Sequence, residues 1–264
     1  MATKANHTKQ EKLEAFERLL DIMDELREKC PWDSVQTIES LRTLTIEETF
    51  ELTDAILAGN LEEIEKELGD LILHIVFYSK LGQEQKAFDV ADVLHKISEK
   101  LVYRHPHIFG DVTVKDAEEV KQNWEELKLK EKDGNKTVLG GIPKSLPAMI
   151  KANRLQEKAR GVGFDWDEKE QIWDKVLEEF NELQVEIALN NQEKMEAEFG
   201  DLFFSLINAA RLYGINPENA LELTNQKFTK RFNYLEEKTI KQGKSLKNMT
   251  LAEMDVYWNE AKKL

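Results

Sequence analysis

The feature that most constrains this chain is that it repeats itself at a fixed offset of 131 residues. Of the 25 positions from 47 to 71, 12 recur at that offset without a gap. Glu47, Glu48, Glu51, Leu52, Ile56 and Asn60 fall on Glu178, Glu179, Glu182, Leu183, Ile187 and Asn191. Glu62, Glu65, Glu67, Gly69, Asp70 and Leu71 fall on Glu193, Glu196, Glu198, Gly200, Asp201 and Leu202. Unrelated helical segments of ordinary composition would share roughly 2–3 of these positions. The match therefore marks a duplicated unit, and the chain should fold as two domains of one kind.

The repeated unit reads as helical. Apolar residues recur at three- and four-residue spacing, as in Leu13, Phe16, Leu20, Met23 and Leu26. The chain holds only 12 Gly and 5 Pro, and strand-like alternation is nearly absent. The expected class is all-α, with two tandem helical-bundle domains, each carrying a carboxylate-lined helical hairpin. The strongest break is 133–147, with three glycines and the prolines Pro143 and Pro147. It divides the sequence into a domain at 1–132, a linker at 133–147 and a second domain at 148–264. Cys30-Pro31-Trp32-Asp33 reads as a helix stop followed by a cap. The two histidines around Pro106, His105 and His107, read as part of a turn rather than a metal site.

Each repeat carries EExxE, then 15 residues, then ExxD. Residues three apart share a helix face, so Glu179 and Glu182 project together, as do Glu198 and Asp201. A turn near Asn190-Asn191 would fold the two arms into an antiparallel hairpin. Glu179 and Asp201 lie equally far from residue 190, and so do Glu182 and Glu198. In the first repeat Glu48 pairs with Asp70, and Glu51 with Glu67, about Gly59. Four carboxylates that converge repel one another unless protonated or bound to a cation. Their hard oxygens suit magnesium, manganese or calcium. A ferritin-like di-iron site would want Glu-x-x-His pairs. His74 follows Asp70 by four, but its counterpart is Ser205. All five histidines and the sole cysteine, Cys30, lie in the first half. Histidine-dependent nucleophilic catalysis is therefore excluded from the second.

The cations break the symmetry. Lys175, four before Glu179, corresponds to Leu44, and Lys194, four before Glu198, corresponds to Glu63. Lys227 and Arg231 match Lys96 and Lys100. Trp258 and Lys262 are four apart, a spacing that Trp124 and Lys128 repeat; an indole face there can stack on a base.

The net charge of −14 disfavours nucleic acid and anionic membrane as partners. A single cysteine permits no internal disulfide and fits a reducing compartment. The first dozen residues lack the apolar stretch of a signal peptide, and no apolar run is long enough to span a bilayer. The expected place is the cytoplasm.

The doubled EExxE…ExxD, the CPWD segment, YRHPHIFGD and SLPAMIKANRLQEKARGVGFDW together resemble the MazG family of nucleoside triphosphate pyrophosphohydrolases. The likeness runs from about Phe16 to Lys262. It implies hydrolysis of NTPs and dNTPs to the monophosphate and pyrophosphate, with magnesium (or manganese) as cofactor, in a homodimer. It further implies that Glu179, Glu182, Glu198 and Asp201 hold the metal. Nucleotide contacts would come from Lys175, Lys194, Lys227, Arg231, Trp258 and Lys262, with Glu178 or Glu179 orienting or deprotonating the attacking water. Glu48, Glu51, Glu67 and Asp70 would form a second site. Leu44 and Glu63 depart from symmetry, so catalysis is expected in the C-terminal domain. Two rivals make different predictions. A cation-binding scaffold would give metal-dependent stability without product, and an enzyme restricted to dUTP or another single phosphorylated nucleoside would show narrow substrate choice.

Overall fold

The structure, a computed structural model, describes residues 6–131 and 137–263. Among the described residues every regular element is helical. The chain divides into two compact units, Met1–Thr113 and Val114–Leu264.

In the first unit, α1 (Lys9–Lys29), α2 (Ile38–Ala58), α3 (Leu61–Glu84), α4 (Val90–Arg104) and the short α5 (Pro106–Phe109) follow one another. α1 starts at a capping box of Thr8 and Glu11 and stops at Cys30, one residue before Pro31. α2 and α3 form the antiparallel hairpin, with α1 packed on α3. Their apolar faces meet in a core of Met23, Leu41, Val76, Phe77 and Leu81. Arg27 closes the end of this core. Its guanidinium donates to both Glu84 carboxylate oxygens, at 2.9 and 2.6 Å, and to the carbonyls of Asp33 and Gln36. The loop after the CPWD segment is thereby tied to α3.

The second unit holds α6 (Ala117–Lys130), α7 (Ala148–Arg160), α8 (Ile172–Leu189), α9 (Gln192–Leu212), α10 (Pro217–Lys241) and α11 (Leu251–Ala261). α8 and α9 repeat the hairpin; α7 and α10 pack on α9, and α11 on α10. Ile172, Leu183, Ile207, Ala209, Leu235 and Ala261 are buried apolar residues among those described in it.

The division at 113/114 puts α6 with the second unit, ahead of the 133–147 break read from the sequence. Its physical reason is tertiary, since Trp124 of α6 lines a cavity together with residues of α7 and α9. Residues 132–136 of that break lie outside the described residues.

Both hairpins turn over two residues. Gly59 (φ 65°) and Asn190 (φ 53°) take the left-handed conformation that ends the first arm. Asn60 and Asn191 then cap the second arm, Asn60 accepting the N–H groups of Glu62 and Glu63 and Asn191 that of Lys194 on the side-chain oxygen. The turn expected near Asn190-Asn191 lies there.

Candidate metal and nucleotide site

In the second hairpin, Glu179 and Glu182 of α8 and Glu198 of α9 each offer an oxygen, all within 4.8 Å of one another. In the first, Glu48 of α2 meets Glu67 and Asp70 of α3 within the same limit. Asp201 and Glu51 are not in these triads but their charges act on them. Glu198 is pushed above the ordinary glutamate range, first by burial, then by the charges of Glu182, Asp201, Glu179 and Glu186. Glu48 is pushed up by burial, then by Asp70, Glu51 and Glu67, against a pull from Lys66. Six of the eight expected carboxylates thus gather as two triads, one on each hairpin, while Asp201 and Glu51 act on them only through their charge.

These groups fit a hard divalent cation. Glu67 is 2% exposed, and its Oε2 is sealed from solvent without a hydrogen-bond partner. A sealed carboxylate oxygen with no donor, beside two further acids, has the electrostatics of a cation ligand. In the second hairpin Glu186 Oε2, outside the triad, is likewise sealed from solvent without a hydrogen-bond partner.

Each hairpin brings one lysine onto its own acids. Lys175 Nζ donates to Glu179 at 2.7 Å and Glu178 at 2.9 Å, and these bonds raise its pKa well above the lysine range. Lys66, whose counterpart is Ala197, donates to Glu67 Oε1 at 2.8 Å. The sequence comparison did not single out Lys66; its place one residue before Glu67 was the available signal. Lys194 contacts Glu186 at 3.4 Å.

The remaining nucleotide candidates form a separate group on α10 and α11. The Arg231 guanidinium lies 5.8 Å from the Trp258 ring centre, and Phe228 packs on the same indole at 5.1 Å. Lys227, four before Arg231, is exposed, and Lys262 donates to Asn259 at 2.9 Å. Among the described residues no ion pair joins this group to the carboxylates.

A cavity of about 760 Å³ opens elsewhere in the second unit, lined by Trp124, Arg154, Lys158, Asp165, Trp166 and Arg211. Arg211 lies ten residues beyond Asp201 on α9, about 15 Å along the helix. The cavity is lined by none of the site carboxylates. Its walls explain the GVGFDW segment. Arg211 grips Asp165 with two hydrogen bonds, at 3.0 and 2.5 Å, and Arg160 lies 3.5 Å away. Burial pushes the Asp165 carboxyl up, but Arg211, the Trp166 amide and Arg160 together hold it below its ordinary 3.8. A depressed acid stabilises the fold above its unfolded pKa and loses that contribution as pH falls through the folded one. The melting temperatures of wild type and Asp165→Asn are therefore expected to differ at about pH 6 and converge towards pH 2.

A family model described as the MazG nucleotide pyrophosphohydrolase domain matches residues 36–109 and 167–235, more than half of the chain. The chain belongs to the MazG family. Nucleoside triphosphate pyrophosphohydrolase of Escherichia coli K12 is 38% identical over 255 residues, covering 94% of this chain and 97% of that protein. Nucleoside triphosphate pyrophosphohydrolase/pyrophosphatase MazG of Thermotoga maritima is 41% identical over 250 residues, covering 94% and 95%. The uncharacterized protein YabN of Bacillus subtilis is 44% identical over 260 residues, or 96% of this chain and 53% of that protein. Each matched MazG segment encloses one complete carboxylate hairpin, so the duplication read from the sequence is a duplication of the MazG domain. Trp258 and Lys262 lie beyond the second segment, and their place beside Arg231 rests on the packing of α11 on α10.

Proposed function

We propose that this chain is a magnesium-dependent enzyme that hydrolyses ribo- and deoxyribonucleoside triphosphates to monophosphate and pyrophosphate at the C-terminal hairpin. The observation that carries the reading is the cluster of Glu179, Glu182 and Glu198 beside two lysines the first hairpin lacks. Glu179, Glu182, Glu198 and Asp201 would hold the magnesium, and manganese suits the same oxygens. Bound there, the metal would neutralise phosphate charge and acidify a neighbouring water.

The chain's own groups do the rest. Glu178 or Glu179 orients the water and accepts its proton as the oxygen attacks the α-phosphorus. The bond from that phosphorus to the bridging oxygen breaks, and pyrophosphate leaves. Lys175, Lys194, Lys227 and Arg231 bind the phosphates, with Lys262 beside them, and Trp258 stacks on the base. Stacking tolerates every base, which favours a broad substrate range over the dUTP-restricted alternative. Glu48, Glu51, Glu67 and Asp70 bind metal with less or no turnover, since Leu44 and Glu63 replace the two lysines.

We further propose a cytoplasmic homodimer. Phe199 and Phe203 are 44% and 60% exposed on α9, and Phe228 on α10 is 56% exposed. Apolar faces of this kind are covered when a second copy packs on them. Among the described residues no helix is long and apolar enough to cross a membrane.

The test incubates the protein with ATP, dTTP and UTP, with magnesium or with EDTA, and reads products by phosphorus NMR. Monophosphate and pyrophosphate from all three, abolished by EDTA, are expected. Diphosphate and orthophosphate would overturn the bond assignment. Metal-dependent melting without any product would favour the cation-binding scaffold.

A further inference from the structure

The hairpin of the second unit carries a third facing pair. Glu186 lies four residues before Asn190 and Lys194 four after it, so they oppose each other as Glu182 opposes Glu198. Glu186 Oε1 lies 3.4 Å from Lys194 Nζ, with side-chain exposures of 13% and 62%. Glu186 also contributes to raising Glu198, so its charge is felt at the metal ligands. The first hairpin replaces both members of the pair: Ala55 stands where Glu186 does, and Glu63 where Lys194 does. The carboxylate and the lysine are therefore present together in one hairpin and absent together from the other.

We infer that Glu186 is a positioning residue, which holds the Lys194 ammonium at the edge of the carboxylate cluster, where it meets the phosphates of the nucleotide. This rests on the reading of the second hairpin as the nucleotide site. A lysine on a flexible four-carbon stem loses side-chain entropy when it is fixed on an anion. A half-buried carboxylate one helical level away takes part of that loss before the nucleotide arrives, which is preorganisation. The structural alternative is that Glu186 serves the fold. Its surroundings argue otherwise, because Oε2 is sealed without a partner and such an oxygen destabilises the folded state. The hairpin also accepts alanine at this level, since Ala55 is buried at the equivalent place.

The experiment measures affinity for a non-hydrolysable α,β-methylene nucleoside triphosphate by calorimetry in magnesium. Steady-state kinetics with dTTP and melting temperatures are read beside it. The proteins are wild type, Glu186→Ala, Glu186→Gln, Lys194→Ala and the Glu186→Ala/Lys194→Ala double variant. Positioning predicts that Glu186→Ala weakens analogue binding and raises KM about tenfold, with kcat nearly unchanged. Glu186→Gln, which keeps an acceptor oxygen, should recover part of that loss. The double variant should bind no worse than Lys194→Ala alone, and the melting temperature of Glu186→Ala should not fall. Wild-type analogue affinity in Glu186→Ala, or additive losses in the double variant, would overturn the inference. Absence of turnover with a tenfold loss of analogue binding would leave the positioning role intact and remove the hydrolytic reading instead.

Discussion

Glu182→Ala is expected to reduce kcat/KM for nucleoside triphosphates on the order of a thousandfold, because a metal clamp supplies several kcal/mol to the transition state. Glu182 is exposed and belongs to the triad with Glu179 and Glu198. On the proposed reading its truncation removes a metal ligand without opening a cavity, so the melting temperature should hardly move. Activity within about tenfold of wild type would exclude Glu182 from the metal site. Glu51→Ala, the equivalent change in the first hairpin, is expected to cost less. Equal losses in both would mean two working or coupled sites. The comparison isolates catalysis from folding, since the two positions lie on equivalent helices, α2 and α8, at the same spacing and are both exposed.

Phe77→Ala is expected to have the largest effect on stability, about 4 kcal/mol. Phe77 is 3% exposed and sits in the core with Met23, Leu41, Val76 and Leu81, and the Arg27 guanidinium lies 5.6 Å from its ring centre. Truncation leaves a ring-sized void beside a charged group that has lost its apolar cover. A domain of this size is stable by only about 5–15 kcal/mol. A denaturant titration followed by circular dichroism should therefore show an early transition that wild type lacks. A shift below about 1 kcal/mol would mean that the core around α3 relaxes to fill the gap.

Much of this architecture can be read from the residues before any coordinates. The offset identities, the helical stripe through Met23 and the paired distances from Gly59 and Asn190 all reflect local periodicity. Local periodicity survives folding because each arm is a continuous helix. Three features depended on tertiary contact or on asymmetry and were not legible. Trp124 of α6 shares a cavity wall with residues of α7 and α9, which composition around 133–147 does not reveal, so the division at 113/114 was not legible. Glu186 was missed because comparison by identity discards positions where the halves differ, and here its counterpart is Ala55. Lys66 was missed for the same reason, its counterpart being Ala197. Spacing placed Lys175 and Lys194 on the faces of the acids, but only the coordinates show which carboxylate each one holds.

The two-residue turns give the hairpins the character of a ruler. One residue added within an arm turns everything beyond it by about 100° and advances it by about 1.5 Å. Glu198 would then point away from Glu182 even though every side chain in the site was unchanged. The 15 residues between those two acids therefore store their information in their number as well as in their chemistry.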